Sequence, residues 1–147
     1  DIKKVIQDKK YKVSNQINLN LIREFYINTM RKNKGTFDKY AFDKMINFMK
    51  TQVNKDKVIQ ATTFYMEKPI YSVIFLNDKK SSCYLYGSGD INIKNRYAGT
   101  LALWKAIEQT INKKLDFIDL EGINSPYRGE YKQNFGGLTK EYFNIIY

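Results

Sequence analysis

The spacing of apolar residues changes several times along this chain, and each change marks an element. Residues 1–18 are polar and weakly patterned, apart from a short strand-like run at Tyr11–Val13. From Leu19 onward, Ile22, Phe25, Tyr26, Thr29 and Met30 recur every three or four positions, which places them on one face of a helix ending near Lys32. Gly35 suits the left-handed position beyond a helix C-terminus, and Thr36 suits the N-cap of a second helix, Phe37 to about Lys50. Its expected inward face carries Phe37, Tyr40, Ala41, Met45, Phe48 and Met49.

β-Branched and aromatic runs follow at Val58–Tyr65, Ile70–Leu76 and Ser82–Tyr86. The turns between them, Met66–Pro69 and Asn77–Lys80, are short enough to require an antiparallel meander. A Gly-, Asn- and Asp-rich loop, Gly87–Asn95, leads to a third helix from about Arg96 to Asn112, with Tyr97, Leu101, Trp104, Ile107 and Ile111 expected inside. Lys113 and Lys114 then sit at the negative end of the helix dipole. Phe117–Leu120 is a short apolar strand, expected at the centre of the sheet, followed by a helical turn near Gly129–Phe135 and a last strand at about Thr139–Tyr147. A strand–helix–strand unit across residues 82–120 predicts a right-handed crossover and a parallel strand pair. The fold class is therefore α+β, a mixed sheet in one domain spanning residues 1–147, with no internal repeat.

Composition narrows the chemistry. A chain of 147 residues can bury roughly two-thirds of its unfolded surface without staples. No apolar run approaches the roughly 18 residues of a membrane span, and Asp1–Lys12 is charged rather than signal-like, so a soluble cytoplasmic domain is expected. The absence of histidine excludes Ser-His-Asp and Cys-His nucleophile systems and imidazole-ligated metals. With Cys83 as the sole cysteine, neither an internal disulfide nor a thiolate cage can form, and no metal is expected. In the run SSCYLY, Cys83 reads as a small buried hydrophobe. The net charge of +10 favours a polyanionic partner such as nucleic acid, nucleotide phosphates, a pyrophosphate cofactor or an anionic membrane surface. A general lysine and asparagine bias would give the same scattered charge.

What remains is carboxylates, lysine, tyrosine, hydroxyls and backbone amides, and these concentrate in FIDLEGINSPYRGEYKQNFGG, residues 117–137. A strand carries Asp119 and leads to Glu121. Strand alternation would point both carboxylates to one face, where their mutual repulsion would raise one pKa. Beyond the turn come Tyr127, Arg128, Tyr131 and Lys132, then Phe135, Gly136 and Gly137. Asp119 could equally cap the turn or pair with Arg128 or Lys132. Arg128 could fork a phosphate or pair with Glu130 or Glu141. Tyr127 and Tyr86 are candidate general acids.

The order of elements, together with LALW at 101–104, FIDLEGINSP at 117–126, YK at 131–132, FGG at 135–137 and FYINTMR at 25–31, resembles the GNAT acyltransferase superfamily. Within it, these motifs are most similar to the Fem-type branch of peptidoglycan bridge aminoacyl transferases and acyl-CoA-dependent relatives. The resemblance implies an N-acyltransferase that takes an acyl group from acyl-CoA to an amine on a sugar or cell-envelope precursor. An aminoacyl-tRNA donor and a non-catalytic GNAT-like binding domain are its alternatives. It implies that the donor enters beside the third meander strand. A backbone amide within Cys83, Tyr84, Leu85, Tyr86 and Gly87 would polarise the carbonyl there, with Gly89, Arg128 and Tyr131 helping to hold the donor. Glu121 is then the first choice of base and Asp119 the second, and Lys132 contacts the donor or stabilises charge. Two departures stand out. The Gln/Arg-x-x-Gly-x-Gly/Ala pyrophosphate loop is replaced by GSGDINIKNRYAG at 87–99, where Gly87, Gly89 and Gly99 could still let amides approach a phosphate. The Fem-type proteins also pair two such domains, so a further domain upstream of Asp1 is an expectation.

Overall fold

The computed structural model describes residues 2–33, 37–93, 95, 97–122 and 126–141; the side chains at 2, 4 and 126–128 lie outside that set. The elements are α1 (Ile2–Gln7), β1 (Tyr11–Ser14), α2 (Leu19–Lys32), α3 (Lys39–Val53) and β2 (Val58–Tyr65), then β3 (Lys68–Asn77), β4 (Ser81–Gly89), α4 (Ala98–Asn112), β5 (Phe117–Asp119) and α5 (Pro126–Gln133). The five strands lie in the order β1-β2-β3-β4-β5. Neighbours are antiparallel except β4 and β5, which run parallel with Cys83 opposite Asp119. The crossover from β4 through α4 thus produces the parallel pair that the sequence predicts.

The sheet separates two apolar layers. On one face Ile22 of α2 and Phe42, Ile46 and Met49 of α3 cover Val58 and Ile74. On the other, Ala102, Leu103 and Ala106 of α4 cover Ile59, Val73 and Phe75, with Tyr131 and Phe135 at the margin. Residues 58 and 59, and 73 and 74, face opposite layers, as strand alternation requires. Gln60 is fully buried, and its amide exchanges hydrogen bonds with the backbone N–H (2.7 Å) and carbonyl (3.1 Å) of Asn18, fixing the start of α2 to β2. A buried amide that satisfied both backbone groups has no signal in the sequence.

Several expectations need correction. The lead-in to the sheet contains a helix, α1. The N-cap of α3 is Asp38, whose carboxylate accepts the Ala41 N–H at 2.9 Å; the predicted Gly35 stop and Thr36 cap lie outside the described residues. The buried face of α3 is Phe42, Ile46, Met49 and Gln52, while Tyr40 is 71% and Phe48 48% exposed. Two apolar stripes run along this helix, and docking selects the one whose side chains fill the space above Ile74. Likewise α4 turns Ala98, Leu101, Ala102, Ala106 and Thr110 inward and leaves Ile111 62% exposed. Alanines let the helix approach the sheet closely, so bulk alone misplaces its buried face. β5 is an edge strand among the described residues rather than a central one, and Phe117 is 58% exposed. Residues 139–141 of the expected last strand are not extended into the sheet, and 142–147 lie outside the described residues.

Candidate active site

β4 and β5 stay together for only three residue pairs, Ser81 with Phe117, Ser82 with Ile118 and Cys83 with Asp119. Beyond Cys83, β4 continues to Gly89 with no β5 residue beside it. A bulge adds to this opening. Ile74 pairs with Tyr86 and Phe75 with Tyr84, so Leu85 is an extra residue on β4. Consecutive residues Leu85 and Tyr86 therefore both pack toward the α2–α3 layer, while Tyr84 packs toward α4. The backbone at the bulge lies where two strands part, outside the regular ladder.

The chain leaves β5 by a sharp local bend. Glu121 has a left-handed φ of 61°, a conformation that costs a non-glycine residue about 1–2 kcal/mol. The Asp119 carboxylate compensates by accepting the Glu121 N–H at 2.7 Å. Lys132 Nζ donates to the Gly122 carbonyl at 3.1 Å and sits 5.3 Å from the Tyr84 ring centroid. The bend overturns the expectation that Asp119 and Glu121 share one strand face: β5 ends at Asp119, and alternation ends with it.

Glu121 Oε1 comes to 3.8 Å from Cys83 Sγ. Burial, reinforced by the negative charges of Glu121 and Asp119, pushes the Cys83 thiol up to about 11. Tyr86 follows on the same side of β4. Its ring meets Tyr26 edge-on at 5.0 Å and Phe42 at 5.2 Å. Burial, then Tyr26 and Glu121, raise its phenol above the usual value, so it holds its proton at neutral pH.

The structure thus gathers Cys83, Tyr84, Leu85, Tyr86, Asp119, Glu121 and Lys132 around one opening. Tyr131 stands apart. Burial raises its phenol, the Thr100 hydroxyl bonds it, and its ring packs edge-on to Phe135 at 5.4 Å. The side chains of Tyr127 and Arg128 lie outside the described residues. The glycines before and at the start of α4 have a clear steric cause: a methyl group at Gly87 would lie 2.2 Å from the Tyr84 hydroxyl, and one at Gly89 or Gly99 would press on the Tyr71 ring at 2.7 or 3.2 Å. Asn95 Oδ1 accepts the N–H groups of Tyr97 and Ala98, both at 3.1 Å, leaving Gly99 and Thr100 as the first amides of α4 that a phosphate could reach. Tyr26, Tyr71 and Asn95 join the site only through the fold; Tyr26 lies in the FYINTMR segment, while Tyr71 carries no local signal. Among the described residues, no three His, Cys, Asp or Glu side chains gather as a metal site would require.

Among the described residues the sheet is mixed, with one parallel pair that diverges beside a bulged strand, and solved structures that share this fold include a GCN5-related N-acetyltransferase and a predicted acetyltransferase. A GCN5-related N-acetyltransferase of Ralstonia eutropha superimposes with a TM-score of 0.71 at 11% identity, covering 92% of this chain and 98% of its own. A predicted acetyltransferase of Clostridium acetobutylicum, solved with acetyl-CoA, gives 0.69 at 7% identity over 93% and 94%. Glucosamine-6-phosphate N-acetyltransferase of Arabidopsis thaliana gives 0.63 at 12% over 95% and 99%. No protein-family model and no curated protein matches the sequence. The likeness is therefore one of fold, and none of these neighbours singles out the Fem-type branch.

Proposed function

We propose that the protein is an N-acyltransferase that moves an acyl group from acyl-CoA to a primary amine on a small acceptor, an amino sugar or cell-envelope precursor. The observation that carries this reading is the β4–β5 opening with the Leu85 bulge on one side and Glu121 on the other. The thioester would lie in the opening with its carbonyl toward a β4 amide. Glu121 would take a proton from the acceptor ammonium, and the free amine would attack the thioester carbon. The tetrahedral oxyanion would be held by the backbone N–H. As the C–S bond breaks, Tyr86 would give its proton to the departing thiolate, the attacking nitrogen would release its extra proton to solvent, and Tyr86 would regain a proton from solvent. Lys132 would keep the Glu121–Gly122 bend in place through the Gly122 carbonyl.

The Clostridium neighbour, solved with acetyl-CoA, supports the donor class, and the Arabidopsis neighbour's acceptor is an amino sugar phosphate. The Fem-type motifs and the charge of +10 keep aminoacyl-tRNA as the alternative donor, although neither tRNA nor an upstream domain finds support among the neighbours. A non-catalytic role is favoured by one observation: Asn95 already takes two of the N–H groups at the start of α4, leaving fewer for a phosphate.

The test is acetyl-CoA turnover against a panel of amino sugars and short peptidyl amines. Glu121→Gln should lower kcat by about 10²–10⁴-fold, since a positioned base contributes about that much. Equal rates for both proteins would remove Glu121 from the mechanism. No turnover with any acceptor, together with salt-sensitive binding of charged tRNA, would replace CoA as the donor.

A further inference from the structure

Six lysines meet at the end of the sheet where β2 begins and β3 turns into β4. Lys55 and Lys57 precede β2, Lys79 and Lys80 occupy the β3–β4 turn, and Lys113 and Lys114 follow α4; all are exposed. The three loops form one surface. Asn77 N–H donates to the Lys57 carbonyl at 2.7 Å, Asp116 N–H to the Lys80 carbonyl at 2.7 Å, and Lys113 Nζ to the Asp56 carbonyl at 3.3 Å. Three aspartates share these loops without neutralising them. Asp56 pairs with Lys113. Asp78 caps its own exposed turn by accepting the Lys80 and Ser81 N–H groups, both at 2.7 Å, bonds that hold its carboxyl below the usual range, with Lys57 adding a smaller pull. Asp116 is the third, so six positive charges face three negative ones and the surface keeps a net +3.

Two large apolar side chains flank this patch. Ile111 is 62% and Phe117 58% exposed. The Ile111 carbonyl accepts the Lys114 N–H, and Phe117 pairs with Ser81 next to Lys80, so both stand beside the lysines. The patch contains no arginine. Lysine ammonium groups are point charges suited to a diffuse anionic layer, whereas arginine supplies the planar forks that grip individual phosphates. Exposed isoleucine and phenylalanine among lysines match the interfacial zone of a bilayer, where apolar side chains enter the acyl boundary and cations meet the headgroups. An RNA partner would leave Ile111 without a role.

We propose that this end of the molecule docks on an anionic lipid surface through Lys55, Lys57, Lys79, Lys80 and Lys114, with Ile111 and Phe117 entering the interface. Phe117 lies two residues from Asp119, about 7 Å along a strand, so docking would bring the β4–β5 opening close to the membrane face. The proposal does not depend on the acyl-transfer reading.

The experiment is co-sedimentation with phosphatidylserine–phosphatidylcholine vesicles, with pure phosphatidylcholine vesicles as reference. The protein should bind the first and not the second, and high salt should release it. Each lysine near an anionic surface is worth about a five-fold change in partition, so Lys79→Gln with Lys80→Gln should weaken binding about 25-fold. Lys9→Gln with Lys10→Gln removes the same charge at the other end of the sheet, next to the Met66 turn, and should leave binding within about two-fold of the parent. Ile111→Ser, on an exposed helix position, and Phe117→Ser should each weaken it several-fold with melting temperatures near that of the parent. Three outcomes would overturn the proposal: no binding to the anionic vesicles, equal losses from both lysine pairs, or tRNA binding through Lys79 and Lys80 that ignores both serine variants.

Discussion

Cys83 occupies a position convenient for a nucleophile, on β4 and facing Glu121, yet its surroundings hold it as a thiol. Burial and two carboxylates push its pKa up to about 11, so little thiolate exists near neutrality and direct attack by the acceptor amine is the simpler route. Alkylation by iodoacetamide, followed by mass spectrometry, should therefore be slow at about pH 7.5 and rise steadily toward pH 11. Cys83→Ala should retain transfer, with no burst of acyl-enzyme in a rapid-quench experiment. Fast labelling at neutral pH or an acylated Cys83 would contradict this. The residue types at the site were legible in the sequence: without histidine, attention falls on Glu121, Asp119, Tyr127 and Lys132, of which the Tyr127 side chain lies outside the described residues. Their arrangement was not. Alternation predicted a shared carboxylate face, but Glu121 lies beyond the last strand residue, in a left-handed conformation held by Asp119. That conformation depends on one local hydrogen bond and on Lys132 reaching the Gly122 carbonyl from α5, ten residues further on.

Among the polar contacts that hold elements to one another, one joins α2 to α3. Arg23 Nε donates to Asp43 Oδ1 and Lys39 Nζ to Oδ2, both at 2.7 Å. The Arg23 hydrogen bond, followed by that of Lys39, lowers the Asp43 carboxyl from its usual 3.8 to about 2. Because the folded value lies below the unfolded one, this contribution to stability is fully present above about pH 4. It is lost as pH falls from about 4 to about 2. Thermal melts across that range should show a steeper fall for the parent than for Asp43→Asn; parallel curves would mean that the pair contributes nothing measurable. At this scale the sequence was most readable where one period dominates. The limits of α2 and β2 agree with the apolar pattern to the residue. It was least readable in α3 and α4, where two stripes compete and packing volume chooses between Met49 and Phe48, or between Ala106 and Ile107. The Leu85 bulge lies between these extremes: a single extra residue in a nine-residue strand leaves no trace in composition.

At the scale of the whole molecule, the opening exists only where a sheet covered on both faces has formed, so a donor that enters it binds the folded state alone. Acetyl-CoA at about 100 times its Kd should then add about 2.7 kcal/mol, which for a chain of this size raises Tm by about 5–10 °C. Differential scanning fluorimetry reads this directly. An unchanged Tm with both acetyl-CoA and CoA would leave the fold assigned and the donor reassigned. Among the described residues, no helix is long and apolar enough to cross a membrane.

By itself the sequence determined the order of the elements, the antiparallel meander, the parallel crossover pair and the exclusion of imidazole chemistry. Each depends on local backbone geometry, on the length of a connection or on which atoms the chain possesses. The tertiary structure alone decided which helical stripe is buried, that β5 lies at an edge, that Tyr26 and Tyr86 converge with Cys83 and Glu121, and that six lysines from three loops share one surface. These depend on how volumes fit between segments far apart in the chain, and periodicity carries no information about that fit.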